Sequence, residues 1–295
     1  MATKTLQAID KELFNTQGGT YRSALKKWMN TIEDAYAPQQ ESTHRQHLGC
    51  SVLGKECDRA IWYGYRFCKE SIFEGRMNLL FNTGHLYEAR FCALLESIGC
   101  TVQQNNPVNG KQYRVSHGAF IGGSGDGIAL GIPDVPDGNW VLLEFKTHGD
   151  KSFKKLIKAG LQSSKPEHYV QMLLYMLKMD LPYGLYMAVN KNDDMLHAEI
   201  IERNDLMAQH YFERGMRIVH NPIPHRISSD ENSFTCKYCS FVDICHNNAP
   251  KDITCRTCVH AIPHEELETW VCNKYMAKLS KERQLQACPT YSSII

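Results

Sequence analysis

The stretch GGSGDGIALGIPDVPDGNWVLLEFKTH, residues 122–148, sets the architecture of this chain. Its last third is a short apolar run rich in aromatic and branched residues, bounded by glycine and asparagine, which reads as a buried β-strand. Successive side chains of a strand point to opposite faces. Val141, Leu143 and Phe145 therefore share one face, and Glu144 and Lys146 emerge together on the other. A carboxylate and an ammonium on one face of a core strand are costly unless they have partners or work to do. Eighteen residues before Glu144, Asp126 stands where a preceding strand begins, between glycines that let a backbone approach closely.

Working outward, the runs TVQQ, QYRVS, AFIGG and GDGIALG between residues 101 and 131 read as further short strands. Upstream, residues 82–98 repeat apolar side chains at Leu86, Phe91, Leu94, Leu95 and Ile98, a helix stopped by Gly99. Residues 55–70 read as an aromatic-rich helix. Residues 1–48 form a polar helical segment with Leu25, Trp28, Met29 and Ile32 at helical spacing. Downstream, DKSFKKLIKAGLQSSK (150–165) is an amphipathic basic helix, Pro166 opens a helix to about Met179, and GLYMAVN and MLHAEIIE make a hairpin. A helix over about 205–219 and a linker at 221–233 follow. This order predicts an α/β layer structure around a mixed sheet. Three segments are expected: 1–48, a main domain over 49–247, and a small cysteine-rich module over 248–295.

The chain has 295 residues, 43% hydrophobic and 22% charged, with a formal charge of +1. These values exclude a disordered or collagen-like chain, and they confine any nucleic-acid surface to a local patch. No apolar run approaches the ~20 residues of a membrane span. The first residues lack the apolar stretch of a secretory signal, so a reducing, cytoplasmic location is expected. In such a compartment the twelve cysteines read as metal ligands more readily than as disulfides. None falls between residues 101 and 235, and seven crowd the last sixty residues.

Hard divalent cations favour one or two carboxylates with water and phosphate oxygens, and a neighbouring lysine can orient an attacking water. Asp126, Glu144 and Lys146 suit that chemistry; equally, they suit a strand-edge ion pair beside a turn aspartate. Glu88 follows Gly84 by one helical turn, with His85 between them. His168, Gln171 and Tyr175 share one helical face.

In order along the chain, Gly84-x-x-x-Glu88, Gly123-x-x-Asp126, Glu144-x-Lys146 and Gln171-x-x-x-Tyr175 resemble the RecB-type nucleases of the PD-(D/E)xK superfamily, over residues 50–245. The resemblance implies a restriction-endonuclease-like α/β fold, a mixed central sheet flanked by helices. It further implies Mg²⁺ or Mn²⁺ held by Glu88, Asp126 and Glu144, a water assisted by Lys146, and a site steadied by Gln171 and Tyr175. Many relatives have histidine where Glu88 stands, and Ser124-Gly125 replaces a proline that often precedes the aspartate. Glutamate is a workable ligand and that proline binds nothing, so the assignment stands, with a part for His85 left open.

The activity implied is hydrolysis of DNA, by an exonuclease on single strands or duplex ends leaving a 5′-phosphate. No G-x-x-x-x-G-K-[ST] phosphate loop occurs, which suggests a self-contained nuclease of recombination, repair or foreign-DNA processing in a phage or microbe, with DNA and a recombination or repair protein as partners. The rival is a catalytically silent nuclease-fold module for DNA binding or complex assembly. The nuclease reading requires the three carboxylates to meet around one ion.

Cys236-x2-Cys239-x5-Cys245 is a compact thiolate group lacking a fourth ligand. Within the same resemblance, the iron–sulfur subgroup, including AddB-like and CRISPR-associated RecB-like exonucleases, supplies one cysteine from before the nuclease core. Cys57 fits that position, with Cys50 in reserve, and a 4Fe-4S cluster is implied; a zinc site would use the same ligands. Beyond it, Cys255-x2-Cys258-x13-Cys272-x15-Cys288 has the spacing of a small zinc-ribbon-like module, where His260 or His264 can replace a cysteine and a second iron–sulfur site is the alternative. A module of about forty residues needs such a staple. Lys151, Lys154, Lys155 and Lys158 on the basic helix are candidate phosphate contacts, or simply a solvated face. Trp62, Tyr63, Tyr65 and Phe67 are candidates for base stacking or for the core. Cys68, Cys92 and Cys100 read as buried small hydrophobes.

Overall fold

The computed structural model describes residues 1–29 and 45–295; Ile32 lies outside the described residues. Helices α1 (Thr3–Thr16) and α2 (Gly19–Lys27) precede strand β1 (Leu48–Gly49), helix α3 (Asp58–Tyr65) and the long helix α4 (Gly75–Ser97). Strands β2 (Thr101–Gln103), β3 (Arg114–His117), β4 (Ile121–Ser124), β5 (Gly127–Leu130) and β6 (Trp140–His148) follow. Then come α5 (Asp150–Ser164), α6 (Pro166–Met179), the hairpin β7 (Tyr183–Asn190) and β8 (Leu196–Glu202), and α7 (Asp205–His220). The last part holds α8 (Phe234–Lys237), α9 (Val242–His246), β9 (Ala261–His264), β10 (Thr269–Cys272), β11 (Ala277–Lys278) and α10 (Lys281–Gln284).

The chain divides into two units that interleave in sequence. The first takes the described residues of Met1–Gln40 with Phe73–Val115 and Ser124–Ala208; the second takes those of Glu41–Ile72 with Ser116–Gly123 and Gln209–Ile295.

The first unit is built on a mixed sheet of order β2-β5-β6-β7-β8. Only β6 and β7 run parallel; α5 and α6 make the crossover that such a pair requires. Alternation along β6 works as its sequence dictates. Val141, Leu143 and Phe145 join Leu185, Met187 and Val189 of β7 and Phe91, Cys92 and Leu95 of α4 in one core, with the Phe91 and Phe145 rings stacked 4.8 Å apart. Each such side chain, when fully buried, contributes roughly 1.5–3 kcal/mol. On the opposite face α6 presses against β7: a Cβ at Gly184 would lie 2.7 Å from Met172 Cε and 3.2 Å from Met176 Sδ, so a larger residue there would have to displace the ends of these side chains. Helix α1 has no capping side chain of its own. Asp134 supplies one from a distant loop, accepting from Thr5 N at 2.6 Å and Lys4 N at 3.0 Å. These hydrogen bonds hold its carboxyl below the usual range against the opposing effect of burial.

Two elements differ from the sequence expectation. Helix α4 starts at Gly75, seven residues early, because Met77, Leu80 and Phe81 continue its apolar pattern. The basic helix is broken at Gly160, which adopts φ 72°, ψ 168°. Leu161 N, freed by the break, donates to Glu199 of β8 at 2.9 Å, so a cross-chain cap stabilises the kink.

In the second unit β1 pairs in parallel with β4, and β9, β10 and β11 form a separate antiparallel sheet. Arg214 of α7 ties down the segment before α3, donating to Asp58 Oδ1 at 2.7 Å and to the carbonyls of Leu53 and Lys55. The aromatic cluster considered for base stacking is core instead: Trp62, Tyr63, Tyr65 and Phe67 are all buried, with Trp62 on Tyr63, Tyr63 on Phe241, Tyr65 on Trp270 and Arg256 over Phe67. Their stacking faces are already used. Among the described residues no helix is long and apolar enough to cross a membrane. All twelve cysteines are free thiols.

Candidate active site and thiol clusters

Strand pairing brings the carboxylates of the first unit together. Gly127 of β5 lies opposite Leu143 of β6 in an antiparallel register, and Asp126, just before β5, interacts with Glu144. On the other side of β5, strand β2 comes close because residue 127 is glycine at φ +144°; a Cβ there would stand 2.8 Å from the Gln103 carbonyl oxygen. Asp126 Oδ2 accepts the Phe145 backbone N–H at 2.7 Å, which pins it to the neighbouring strand. Lys146 Nζ contacts Glu144 Oε1, donates to the Phe145 carbonyl at 3.0 Å, and stands 3.9 Å from Asp126 Oδ2. From α6, Gln171 Nε2 donates to both Glu144 oxygens at 3.0 Å, fixing a carboxylate that is wholly buried. Glu88 of α4 accepts from Gln104 at 3.2 Å and lies 3.2 Å from His85 Nδ1.

The electrostatics show a surplus of acid. Burial, then Glu144, pushes the Asp126 carboxyl up to about 8, with Glu88 adding to the rise against Lys146. Glu144 is likewise raised by burial, with Lys146 opposing and Glu88 reinforcing. Lys146 is pulled down by burial, yet Glu144 and Asp126 hold its ammonium above the ordinary lysine range. One ammonium thus serves three mutually interacting carboxylates. That donor set fits a hard divalent cation, which needs oxygen ligands and neutralises their excess charge.

The ammonium lies between Glu144 and Asp126, drawing both oxygens to itself. As they stand, no three His, Cys, Asp or Glu side chains among the described residues are arranged to hold a metal ion. Tyr175 is buried, its ring near the backbone of Gly125. Lys151, Lys154, Lys155 and Lys158 are exposed on α5, which begins two residues after β6 ends, and Lys154 is paired with Asp150 at 2.8 Å.

Sequence reading missed a polar network beside this site. Tyr186, whose Cα pairs with that of Glu144 across the parallel β6–β7 ladder, has its hydroxyl 2.8 Å from His148 Nε2 and 3.1 Å from His168 Nδ1. His148 was legible: it is two residues beyond Lys146 on the same strand face. Tyr186 was not, since nothing local sets the register. Burial, then nearby lysines, pushes His148 down to about 4; burial, then Lys146, pushes His168 down to about 2. Both rings are neutral near pH 7. Gln104, which donates to Glu88, carried no sequence signal.

In the second unit the thiols collect into two groups. Cys57 caps α3, its Sγ accepting from Ala60 N at 3.4 Å. Phe241 packs on Tyr63 and against Gly64 of that helix, which brings the Cys236–Cys245 turn alongside. Cys239 is raised by burial and feels Cys57, Cys236 and Cys245 as charged neighbours. Cys50 is buried alone, its thiol pushed up to about 12 by burial, with no other cysteine acting on it. Cys255 in turn is raised by burial and by Cys288, Cys258 and Cys272. Cys68, Cys92 and Cys100 are buried in the core.

No family model matches the chain, and no curated protein does so significantly. Solved structures similar to it include SSO0001, at 17% identity over 78% of this chain and 97% of that one, with a TM-score of 0.39. The alkaline exonuclease LHK-Exo from Laribacter hongkongensis is 16% identical over 63% of this chain and 90% of its own, with a TM-score of 0.42. The LHK-Exo complex with dAMP is 15% identical over 59% and 86%, with a TM-score of 0.41.

Proposed function

We propose that this chain is a metal-dependent DNA nuclease of the RecB-type, restriction-endonuclease-like class, acting as an exonuclease on single strands or duplex ends. The observation that carries the reading is the convergence of Asp126, Glu144 and Lys146, from two strands, on one partly exposed point with an uncompensated excess of carboxylate. Glu88, Asp126 and Glu144 would hold Mg²⁺ or Mn²⁺; when bound, such an ion stabilises negative charge developing on phosphorus. The chain's own groups have separable tasks. Gln171 locks the Glu144 rotamer from behind. The Phe145 N–H sets Asp126. Lys146, once released from its carboxylates, holds the attacking water and the scissile phosphate oxygen by its N–H groups. Lys151, Lys155 and Lys158 are free to follow the DNA backbone, each neutralised phosphate adding salt-sensitive affinity. The present contact of Lys146 with Glu144 favours, as a second reading, a silent DNA-binding or assembly module in which the ammonium permanently replaces a cation.

End-labelled single- and double-stranded DNA decides between them. Mg²⁺- or Mn²⁺-dependent cleavage is expected to disappear in Glu144→Ala and Asp126→Ala while the circular dichroism spectrum is kept. Undiminished cleavage in both variants sinks the site.

The same reading places a 4Fe-4S cluster on Cys57, Cys236, Cys239 and Cys245, a set of four thiolates supported by their shared neighbourhood around Cys239. It would join chain positions 179 residues apart, counted from Cys57 to Cys236, and so restrict the unfolded chain. Anaerobically purified protein is expected to be brown and to bleach in Cys239→Ala; colourless protein holding only zinc refutes the cluster.

A further inference from the structure

The second unit buries two guanidinium groups without an acid. Arg256 is fully buried and Arg66 is 4% exposed. Their guanidinium carbons lie 3.9 and 4.8 Å from the centre of the Trp270 ring, and Arg256 also covers Phe67 at 4.1 Å. Arg66 donates to the carbonyls of Arg256 and Ala261 at 3.3 and 2.9 Å; Arg256 donates to Gln284 Oε1 at 3.0 Å and to the Tyr65 carbonyl. The Nε of each arginine has no partner. Among the described residues no carboxylate pairs with either. Two like charges around one ring, in a place sealed from water, are costly unless an anion lies close by.

For Arg66, which feels Cys68 and Cys258 as charged neighbours, an anion is at hand in the thiols. Backbone bonds bring four cysteines from separate parts of the module towards one end of the β9-β10-β11 sheet, in an arrangement that, as it stands, is not closed enough to hold an ion. Cys258 N donates to the Cys255 carbonyl at 3.0 Å in a tight turn, and Ala261 N donates to the Cys258 carbonyl at 3.2 Å. Ala261 is the cross-strand partner of Cys272. Cys255 N donates to the carbonyl of Gln286, two residues from Cys288, at 2.6 Å. Arg66 acts on Cys258, and the exposed Arg283 acts on both Cys255 and Cys288.

We propose that Cys255, Cys258, Cys272 and Cys288 form a tetrathiolate zinc centre whose surplus negative charge is balanced by Arg66 and Arg283. Four thiolates exceed the charge of Zn²⁺ by two, which is the charge the two arginines bring. On binding, the four thiols lose their protons to solvent and the metal draws the sulfurs together. Arg66 is a positioning residue: its N–H groups hold the Ala261 carbonyl that borders the site, and its charge lowers the cost of the buried thiolates. Arg256, clamped on Trp270 and Phe67, forms the wall that keeps water out. The inference is independent of the nuclease reading.

The test uses the full-length protein purified without added metal. Elemental analysis is expected to find one zinc per chain, lost in the Cys255→Ser/Cys258→Ser variant while any iron is retained. Should that variant fail to fold, titrating the wild-type protein with a mercurial reagent gives the same answer, with zinc released in step with four thiols. In chelator competition, Arg66→Gln is expected to bind zinc roughly tenfold more weakly, in line with outer-shell changes at other metal sites, and Arg66→Lys to recover most of that loss. Iron at these cysteines, metal-free protein, or zinc release uncoupled from thiol reaction overturns the centre. Wild-type affinity in Arg66→Gln overturns the charge-balancing role.

Discussion

Replacing Lys146 by methionine removes the one ammonium among three carboxylates while keeping side-chain length. In the wild type, its nitrogen lies 3.9 Å from Asp126 Oδ2 and in contact with Glu144. At an effective permittivity of ~20, opposite charges at ~4 Å attract by about 4 kcal/mol. The lysine side chain is 28% exposed, so water returns part of that loss, and Asp126 can escape by taking a proton. The expected destabilisation is therefore ~3 kcal/mol at pH 8.5 in EDTA, within the range for breaking a buried ion pair.

The sign with pH follows from the raised carboxyl groups. A carboxyl whose folded pKa exceeds its unfolded value binds its proton more tightly in the native state. Its stabilising contribution is complete below the unfolded value, near 4, and fades as pH climbs through the folded value, about 8 for Asp126. Losing the ammonium raises both carboxyls further, so the deficit should be small at pH 5 and grow as pH climbs through the wild-type value of about 8. Millimolar Mn²⁺ or Mg²⁺ should then stabilise Lys146→Met by about 2.7 kcal/mol when the ion is at a hundredfold excess over its Kd, and the wild type by less. Urea unfolding followed by tryptophan fluorescence, with and without EDTA, measures all three quantities. A variant as stable as wild type at pH 8.5 in EDTA, or no more responsive to divalent cations, refutes the charge balance drawn from this site.

Asp126→Asn in EDTA should flatten the decline of stability between pH 5 and pH 8.5, because the group responsible no longer titrates; urea midpoints at the two pH values test this, and an unchanged decline assigns it elsewhere. Gly127→Ala places a Cβ 2.8 Å from the Gln103 carbonyl oxygen and 3.1 Å from Gln104 Cα at a φ that L-residues rarely adopt. It should cost ~2–3 kcal/mol in the same urea assay, and a loss below ~0.5 kcal/mol would show that strand β2 yields easily.

How much was legible depended on whether the signal was local. Alternation in Trp140 to Thr147 announced both the strand and the shared face of Glu144 and Lys146, because side-chain period is a property of the backbone itself. Pro166 and Gly99 marked helix boundaries for equally local reasons. The kink at Gly160 was hidden, since the apolar pattern runs through it and the Glu199 cap comes from another strand. The aromatic run from Trp62 to Phe67 was ambiguous by composition, and burial assigned it to the core. The interleaving of the two units has no local signature at all.

By itself, then, the sequence determined where most strands and helices lie, which side chains of β6 share a face, and that the cysteines fall into sets with metal-ligand spacing. Tertiary structure alone decided that Asp126 interacts with Glu144, that Gln171 rather than water satisfies that carboxylate, and that Tyr186 bridges two histidines. It also set Cys57 near Cys239 and placed two arginines without an acid around Trp270. The physical reason is the same throughout: periodicity and propensity act over a few residues, whereas register, burial and charge balance depend on segments that meet only when the chain is folded.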